Sequence, residues 1–405
     1  MVSSKEEKRS YCLHLSGSQS WNFIATEGVR PWMEKFAAIM ELPSCRENDF
    51  PKMIFSKKNS AGESPITEEI IKIHPHLPEE GWNAYDRRSI SLWSHEKIPD
   101  VICEIAGERD NGMDIVGMWN SLHFVYIRAQ EAGGLPLHAA LVERSGKGIV
   151  LAGPGSGGKT TCCKRVPPSW RTLCDDETLV LRNNVAQYAA HPFPTWSEYL
   201  LKHSSKTWDV RKNVPLQAVF FLEKAERDEV VPLGNGQAAV VLSNSSIQVC
   251  RRTWGALRRE ETREIKKKLF YNACAMAENV PSFILRFGLT GRFWEKIEEA
   301  LDKVSSKEKS MPKKNNPLAN STIVLREEFD DWAILFDPDS GEGFGLNPVG
   351  VFIWKLLDGK HSLDDILKDL RENCEEVPDE AKEHLKNFIH DLKELGFVGY
   401  EIQNE

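Results

Sequence analysis

The run Gly153, Pro154, Gly155, Ser156, Gly157, Gly158, Lys159, Thr160, Thr161 sets four glycines, one lysine and two threonines directly after the apolar GIVLA. A strand that ends in glycines and opens into a helix aims backbone N–H groups at one spot, where the helix terminus adds partial positive charge. Phosphate suits such a spot. Gly153, Gly158, Lys159 and Thr160 fit the spacing G-x-x-x-x-G-K-[ST]: the glycines permit close approach, the lysine reaches β- and γ-phosphates, and the threonine hydroxyl holds Mg²⁺. ATP and Mg²⁺ are therefore the expected cofactors, with Pro154, Gly155, Ser156, Gly157 and Thr161 completing the cradle. The plainer alternative is a glycine-rich turn before an ordinary helix.

Phosphoryl transfer also needs carboxylate. The strand-like RTLC ends in Asp175-Asp176-Glu177, with Asp175 only sixteen positions beyond Lys159. One aspartate there can take a hydroxyl proton while the other supports Mg²⁺; the alternative is an acidic strand-to-turn boundary at the surface. His138, in the strand-like LPLHAALVE before the phosphate strand, is positioned either to orient an aspartate or to serve structure alone. Arg251 and Arg252 read as solvated charge beside a helix, with a phosphate clamp as the alternative.

These residues need elements to hold them. Helical periodicity over 118–134 ends in a glycine stop and precedes the strands LPLHAALVE and IVLAG. LQAVFFLE (216–223) reads as a buried strand, and helical stretches at about 254–277 and 290–304 close the domain. Residues 1–117 read as mixed strands and short helices, an N-terminal α+β subdomain. The stretch 304–320 is polar, lysine-rich and holds Pro312 and Pro317, so it reads as a linker between 118–303 and 321–405.

The length of 405 residues predicts more than one domain, and 41% hydrophobic with 28% charged residues is globular composition. The N-terminal MVSSKEEKRS lacks an apolar segment and no run is long enough to span a bilayer, so a cytoplasmic protein with no membrane partner is expected. Nine cysteines without a C-x-x-C pair predict reduced thiols rather than a disulfide framework or zinc site. Cys162 and Cys163 are expected to pack the helix after the glycine loop. The net charge of −8 is uneven: residues 321–405 hold 8 Lys and Arg against 21 Asp and Glu, or −13, leaving +5 elsewhere. Strands at STIVLREE and DWAILFDPDSGEGFGL followed by three helices give a winged-helix-like tail, and its charge argues against nucleic acid. Its third helix carries Leu385, Phe388, Ile389, Leu392 and Leu395 at helical spacing and stops at Gly396.

The segment LPLHAALVERSGKGIVLAGPGSGGKTT…RTLCDDETLV resembles the HPr kinase/phosphorylase superfamily, related to phosphoenolpyruvate carboxykinase, over roughly residues 118–300. The resemblance implies His138 near the transferring phosphoryl group, Lys159 and Thr160 on phosphate and metal, Asp175 as base and Asp176 beside it and on the metal. Glu198, in HPFPTWSEYL, is the candidate for the family's further metal or substrate contact. The sequence LREEFDDWAILFDPDSGEGFGLNPVGVFIWKLLDGKHSLDDI resembles the PqqD family, in which a leader peptide adds as a strand to the edge of the small sheet. That edge is expected within 323–336, with Phe388 or Leu392 beneath it. Together the two parts are similar to kinase-like proteins of peptide-modification cassettes, of the SynChlorMet type.

The expected fold is thus an α/β P-loop kinase core with a mixed sheet, an α+β N-terminal subdomain and a winged-helix-like PqqD tail. The expected function is an ATP-dependent kinase for a Ser or Thr hydroxyl of a ribosomally made precursor peptide, whose leader is bound by 321–405. Other modifying enzymes of the cassette are further expected partners. The alternatives are a nucleotide-binding scaffold that presents the leader, or an ATP-dependent activator of a peptide carboxylate.

Overall fold

The computed structural model describes residues 10–403 except 18, 47, 59–63, 88, 108–109, 156, 184–186, 203, 205–206, 308–313, 321, 328–331, 339–342, 375–376 and 379. Its first elements are β1 (Ser10–Leu13), β2 (Trp21–Ala25), α1 (Arg30–Ile39), β3 (Ser44–Cys45), β4 (Lys52–Lys57), α2 (Glu68–Ile73), β5 (Trp82–Asp86), β6 (Ile90–His95) and β7 (Ile98–Ile105). They form one sheet of order β3-β1-β2-β4-β7-β6-β5, parallel at β2-β4-β7. The parallel strands carry unbroken apolar runs because both faces are covered. Met53 and Phe55 of β4 face a core with Trp32 and Phe36 of α1, while Ile54 faces Ile70 of α2.

Cys12 and Cys45 form a disulfide, with Cα atoms 5.9 Å apart. This corrects the expectation of reduced thiols throughout. Pairing of β1 with β3, in which Ser10 lies opposite Cys45, closes a gap of 33 positions that local spacing does not reveal. Disulfides are rare in reducing compartments, so cysteine usage does not argue for a cytoplasmic setting.

Next come α3 (Asn111–Ser121) and α4 (His123–Glu131), the helical stretch read at 118–134 being divided at Leu122 and stopped by Gly133 at φ +81°. They lead to β8 (Leu135–Leu137), β9 (Ala139–Arg144), β10 (Lys147–Ala152), α5 (Lys159–Arg165), β11 (Trp170–Cys174), β12 (Thr178–Arg182), β13 (Tyr188–Pro192), α6 (Trp196–Leu200) and β14 (Val214–Lys224). The single strand read at LPLHAALVE divides at His138: β8 pairs with β12 and β9 with β11, both antiparallel.

The chain groups into two units, one of residues 1–148, 160–216 and 248–257, the other of residues 149–159, 217–247 and 258–405. In the first unit a single core runs from Phe23 and Phe36 to Leu179, Phe193 and Trp196. It crosses the boundary expected at residue 117, because α1 buries Phe36 6.2 Å from the Trp196 ring.

In the second unit β14 pairs in parallel with β16 (Ser282–Phe287), which pairs with β15 (Glu229–Pro232). The helices are α7 (Asn235–Cys250), α8 (Arg259–Asn279) and α9 (Phe293–Lys307). Helix α7 escapes a reading by periodicity because asparagine and serine interrupt it, yet Ala238, Ala239 and Leu242 are fully buried. The tail comprises β17 (Lys314–Ala319), β18 (Val324–Glu327), β19 (Ala333–Phe336), β20 (Gly343–Leu346), α10 (Pro348–Leu356), α11 (Leu363–Asn373), α12 (Ala381–Glu394) and β21 (Val398–Gln403). Strands β18, β19 and β20 form a meander whose inner face packs Leu335 against Ile366, Leu385, Ile389 and Leu392. Asn347 caps α10 and Ser362 caps α11, each accepting from a backbone N–H three residues on.

The stretch 304–320, read as a linker, is helical to Lys307 and extended from Lys314, where β17 pairs with β21. Asn316, one of the polar residues behind that reading, is buried and donates to the carbonyls of Gly359 and Lys360. The tail also packs on α8: the Tyr271 hydroxyl donates to the Lys393 carbonyl (2.5 Å), and a side chain at Gly399 would meet Phe270 at 3.2 Å. One face of α7 (Val240, Ser243, Asn244, Ile247) and one of α8 (Arg263, Lys266, Lys267, Phe270) line a cavity of about 60 Å³ with Ile323 and Asp337. Among the described residues no helix is long and apolar enough to cross a membrane.

Candidate functional site

The glycine loop follows β10 and opens α5. Gly158 has φ +104°, and a Cβ there would come 2.5 Å from the Phe287 ring, so only glycine fits. Gly157 donates its N–H to the Pro154 carbonyl, and a Cβ on Gly157 would crowd that same oxygen at 2.9 Å. Gly153 packs on Leu222, whereas Gly155 stands clear of neighbours. Lys159 is buried, and its Nζ donates to the carbonyls of Gly153 (3.0 Å) and Pro154 (3.3 Å). Thr160 and Thr161 are exposed on the first turn of α5, and Ser156 lies outside the described residues.

The first unit holds a second cluster. His138, at the break between β8 and β9, places Nε2 3.2 Å from Asp176 Oδ1. Its Nδ1 lies 2.6 Å from Gln248 Oε1, at the end of α7. An amide oxygen only accepts, so in this arrangement Nδ1 is the donor to Gln248 and Nε2 is the ring nitrogen turned toward Asp176. Asp175 turns elsewhere: its Oδ1 accepts from Thr195 Oγ1 (2.6 Å), which in turn accepts from Trp208 Nε1 (2.8 Å). These two bonds fix the orientation of the Asp175 carboxylate.

Glu177, the third acid of the turn, is fully buried. It accepts from the Tyr126 hydroxyl, from Trp119 Nε1 (3.1 Å) and from Arg252 Nη2 (3.4 Å). Burial raises its carboxyl above the usual range, a rise that the Arg252 charge and the Tyr126 bond oppose. The Arg252 guanidinium carbon also lies over Trp119, 3.5 Å from the ring centroid. Arg252 is exposed, as the sequence reading expects, but it also partners a buried carboxylate and so ties down the turn that carries Asp175 and Asp176. Arg251, next to it, is exposed.

Helix α5 is tied to the aspartate strand, since Thr172 of β11 donates to the Cys163 carbonyl (3.1 Å). Cys162 is fully buried, and burial pushes the Cys163 thiol up and the Cys174 thiol up to about 12. These are packing thiols, not metal-binding thiolates.

The structure thus brings His138 and Asp176 together, but gives Asp175 separate partners. Glu198 stands in the first turn of α6, three residues after Thr195. Among the described residues no three of His, Cys, Asp and Glu gather in a metal-binding group. The oxygen donors Thr160 and Asp176 still suit Mg²⁺, which takes one or two protein oxygens and fills its shell with phosphate and water. Gln248, Thr195 and Glu177 were not legible as site residues, and Arg252 was weighed only as a phosphate clamp, not as the partner of Glu177. Only the third acid of DDE was a signal for Glu177; the others reach the turn through tertiary contacts.

Residues 333–398 match the family model described as Coenzyme PQQ synthesis protein D (PqqD). Residues 101–302 match the model described as SynChlorMet cassette protein ScmC, so the chain is similar to ScmC over that stretch and to PqqD over the later one. The glycine loop, His138, the acidic turn, Gln248 and Arg252 all fall inside the ScmC match. No match was found among curated proteins.

Proposed function

We propose that the chain is an ATP- and Mg²⁺-dependent kinase, HPr-kinase-like in its core, that phosphorylates a Ser or Thr hydroxyl of a ribosomally made precursor peptide. The carrying observation is that the glycine loop ending in Lys159-Thr160 and the His138–Asp176 pair both fall within residues 101–302, the stretch that matches ScmC, and that the stretch matching PqqD follows it. The P-loop kinase core and winged-helix-like tail belong to this reading.

In the proposed reaction the acceptor oxygen attacks the γ-phosphorus, the bond from that phosphorus to the β–γ bridging oxygen breaks, and ADP leaves. Asp175, held by Thr195, takes the hydroxyl proton. Lys159 exchanges its loop carbonyls for phosphate oxygens, and loop N–H groups cradle the phosphates. Thr160 and Asp176, with Glu198 as a further candidate, would hold Mg²⁺, which would supply charge neutralisation on the phosphates. His138, 3.2 Å from Asp176 Oδ1, orients that carboxylate.

The leader is read by the tail. Among the described residues β18 pairs only with β19, so its other edge offers backbone groups to an added strand. The rival readings, a scaffold and a carboxylate-activating enzyme, differ in product. Incubation of the full chain with ATP, Mg²⁺ and the precursor of its cassette should add about 80 Da to the peptide, the mass of one phosphoryl group. ATP binding without a mass change would leave the scaffold; consumption of ATP with a new acyl product would leave the ligase.

A further inference from the structure

The cavity between α7, α8 and the tail adjoins the sheet edge proposed for the leader. Ile323 immediately precedes β18 and Asp337 immediately follows β19, and Val324 pairs with Phe336. The cavity therefore opens at the Val324 end of β18. A strand rises about 3.3 Å per residue, so a peptide paired along β18 reaches it within a residue or two.

Its charge is opposite to that of the tail. Among the described lining residues Arg263, Lys266 and Lys267 stand against one acid, Asp337, whereas residues 321–405 carry −13. Phe270 and Val240, both buried, form its apolar floor. The volume of about 60 Å³ suits one side-chain head, not a nucleotide. Lys267 is held by Glu394 at 3.6 Å and the Tyr271–Lys393 bond pins α12 to α8, so the two walls are fixed to each other.

We infer that this cavity is a specificity pocket for one Asp or Glu side chain of the precursor leader, next to the segment that pairs with β18. Backbone pairing along an edge carries little sequence information; a cationic pocket at its end fixes register and selects the peptide. The inference rests on the reading that the leader pairs with β18.

A bead-displayed library of short random peptides, sorted for binding to the full chain, tests both. Selected peptides should carry Asp or Glu at one fixed place beside a run of alternating β-branched residues. Changing that acid to its amide should weaken binding about tenfold, as loss of a charge-assisted bond does. With the variant Arg263→Gln/Lys266→Gln, checked for an unchanged melting curve, the same change should cost less than twofold. If the variant unfolds, Lys266→Gln alone is used, and the penalty should fall at least threefold. Peptide binding should also slow amide hydrogen exchange over 323–327. Slowed exchange without acidic preference, or a tenfold penalty that persists in the variant, overturns the pocket and leaves the edge reading standing. Binding that leaves exchange at 323–327 unchanged, or a library that yields no binder, overturns both.

Discussion

At the scale of single residues, the chemistry rests on groups whose surroundings already restrict them. Lys159 is buried with the Gly153 and Pro154 carbonyls as partners, so its Nζ is held against the glycine loop. Lys159→Ala should abolish peptide phosphorylation and weaken ATP binding, read by product mass and by nucleotide titration; full activity would remove the glycine loop from the mechanism. Asp175→Asn preserves the bond from Thr195 but takes no proton. Turnover should fall on the order of 10²–10⁴-fold, with ATP affinity little changed. A loss confined to ATP affinity would instead assign Asp175 to the metal.

At the scale of elements, the loop-to-helix turn after β10 depends on one backbone conformation. Gly158→Ala forces a Cβ into the Phe287 ring at φ +104°. The helix α5 should survive, whereas ATP affinity should fall at least tenfold as the N–H groups shift. Undiminished affinity would show that the ring yields. The β1–β3 pairing makes a different demand: alkylation of the denatured, unreduced chain should label seven cysteines, and nine after reduction. Nine labels without reductant would show the bridge absent.

At the scale of the whole molecule, buried histidines set the acid limit. Burial lowers His191 to about 4, its Nε2 accepting from the Ser16 N–H; burial, helped by the Arg87 charge, lowers His123 to about 4. The folded state binds fewer protons than the unfolded chain between about pH 4 and the ordinary 6.5. Stability contributed by these groups is therefore present above 6.5 and lost as pH falls toward 4. Roughly 2 kcal/mol per histidine is at stake by pH 5. Glu177, raised by burial, works in the opposite sense, and its cost is relieved on acidification. The melting temperature should drop by several degrees between pH 7.5 and 5; a flat profile would show both rings solvated or charged in the fold. Removing residues 305–405 is also no neutral cut, because it strips cover from Phe270 and Tyr271 of α8.

What the sequence determined by itself is whatever a short window encodes. The glycine loop, the strand ending at Asp175-Asp176, the buried strand β14 and the last helix with its Gly396 stop follow from local spacing, because turns, strands and helices are set by neighbours two to five residues away. The PqqD motif and the cassette resemblance are of the same kind, long runs of consecutive residues, and the family matches bear them out. Tertiary structure alone decided which distant groups meet. The disulfide closes 33 positions, Gln248 and Arg252 reach His138 and Glu177 across 110 and 75 positions, and β17 leaves the polar stretch to pair with β21. Helix α7 forms against its own propensity, since burial of Ala238, Ala239 and Leu242 outweighs its asparagines and serines. Burial and pairing over such separations depend on the whole folded chain, and no local pattern carries them.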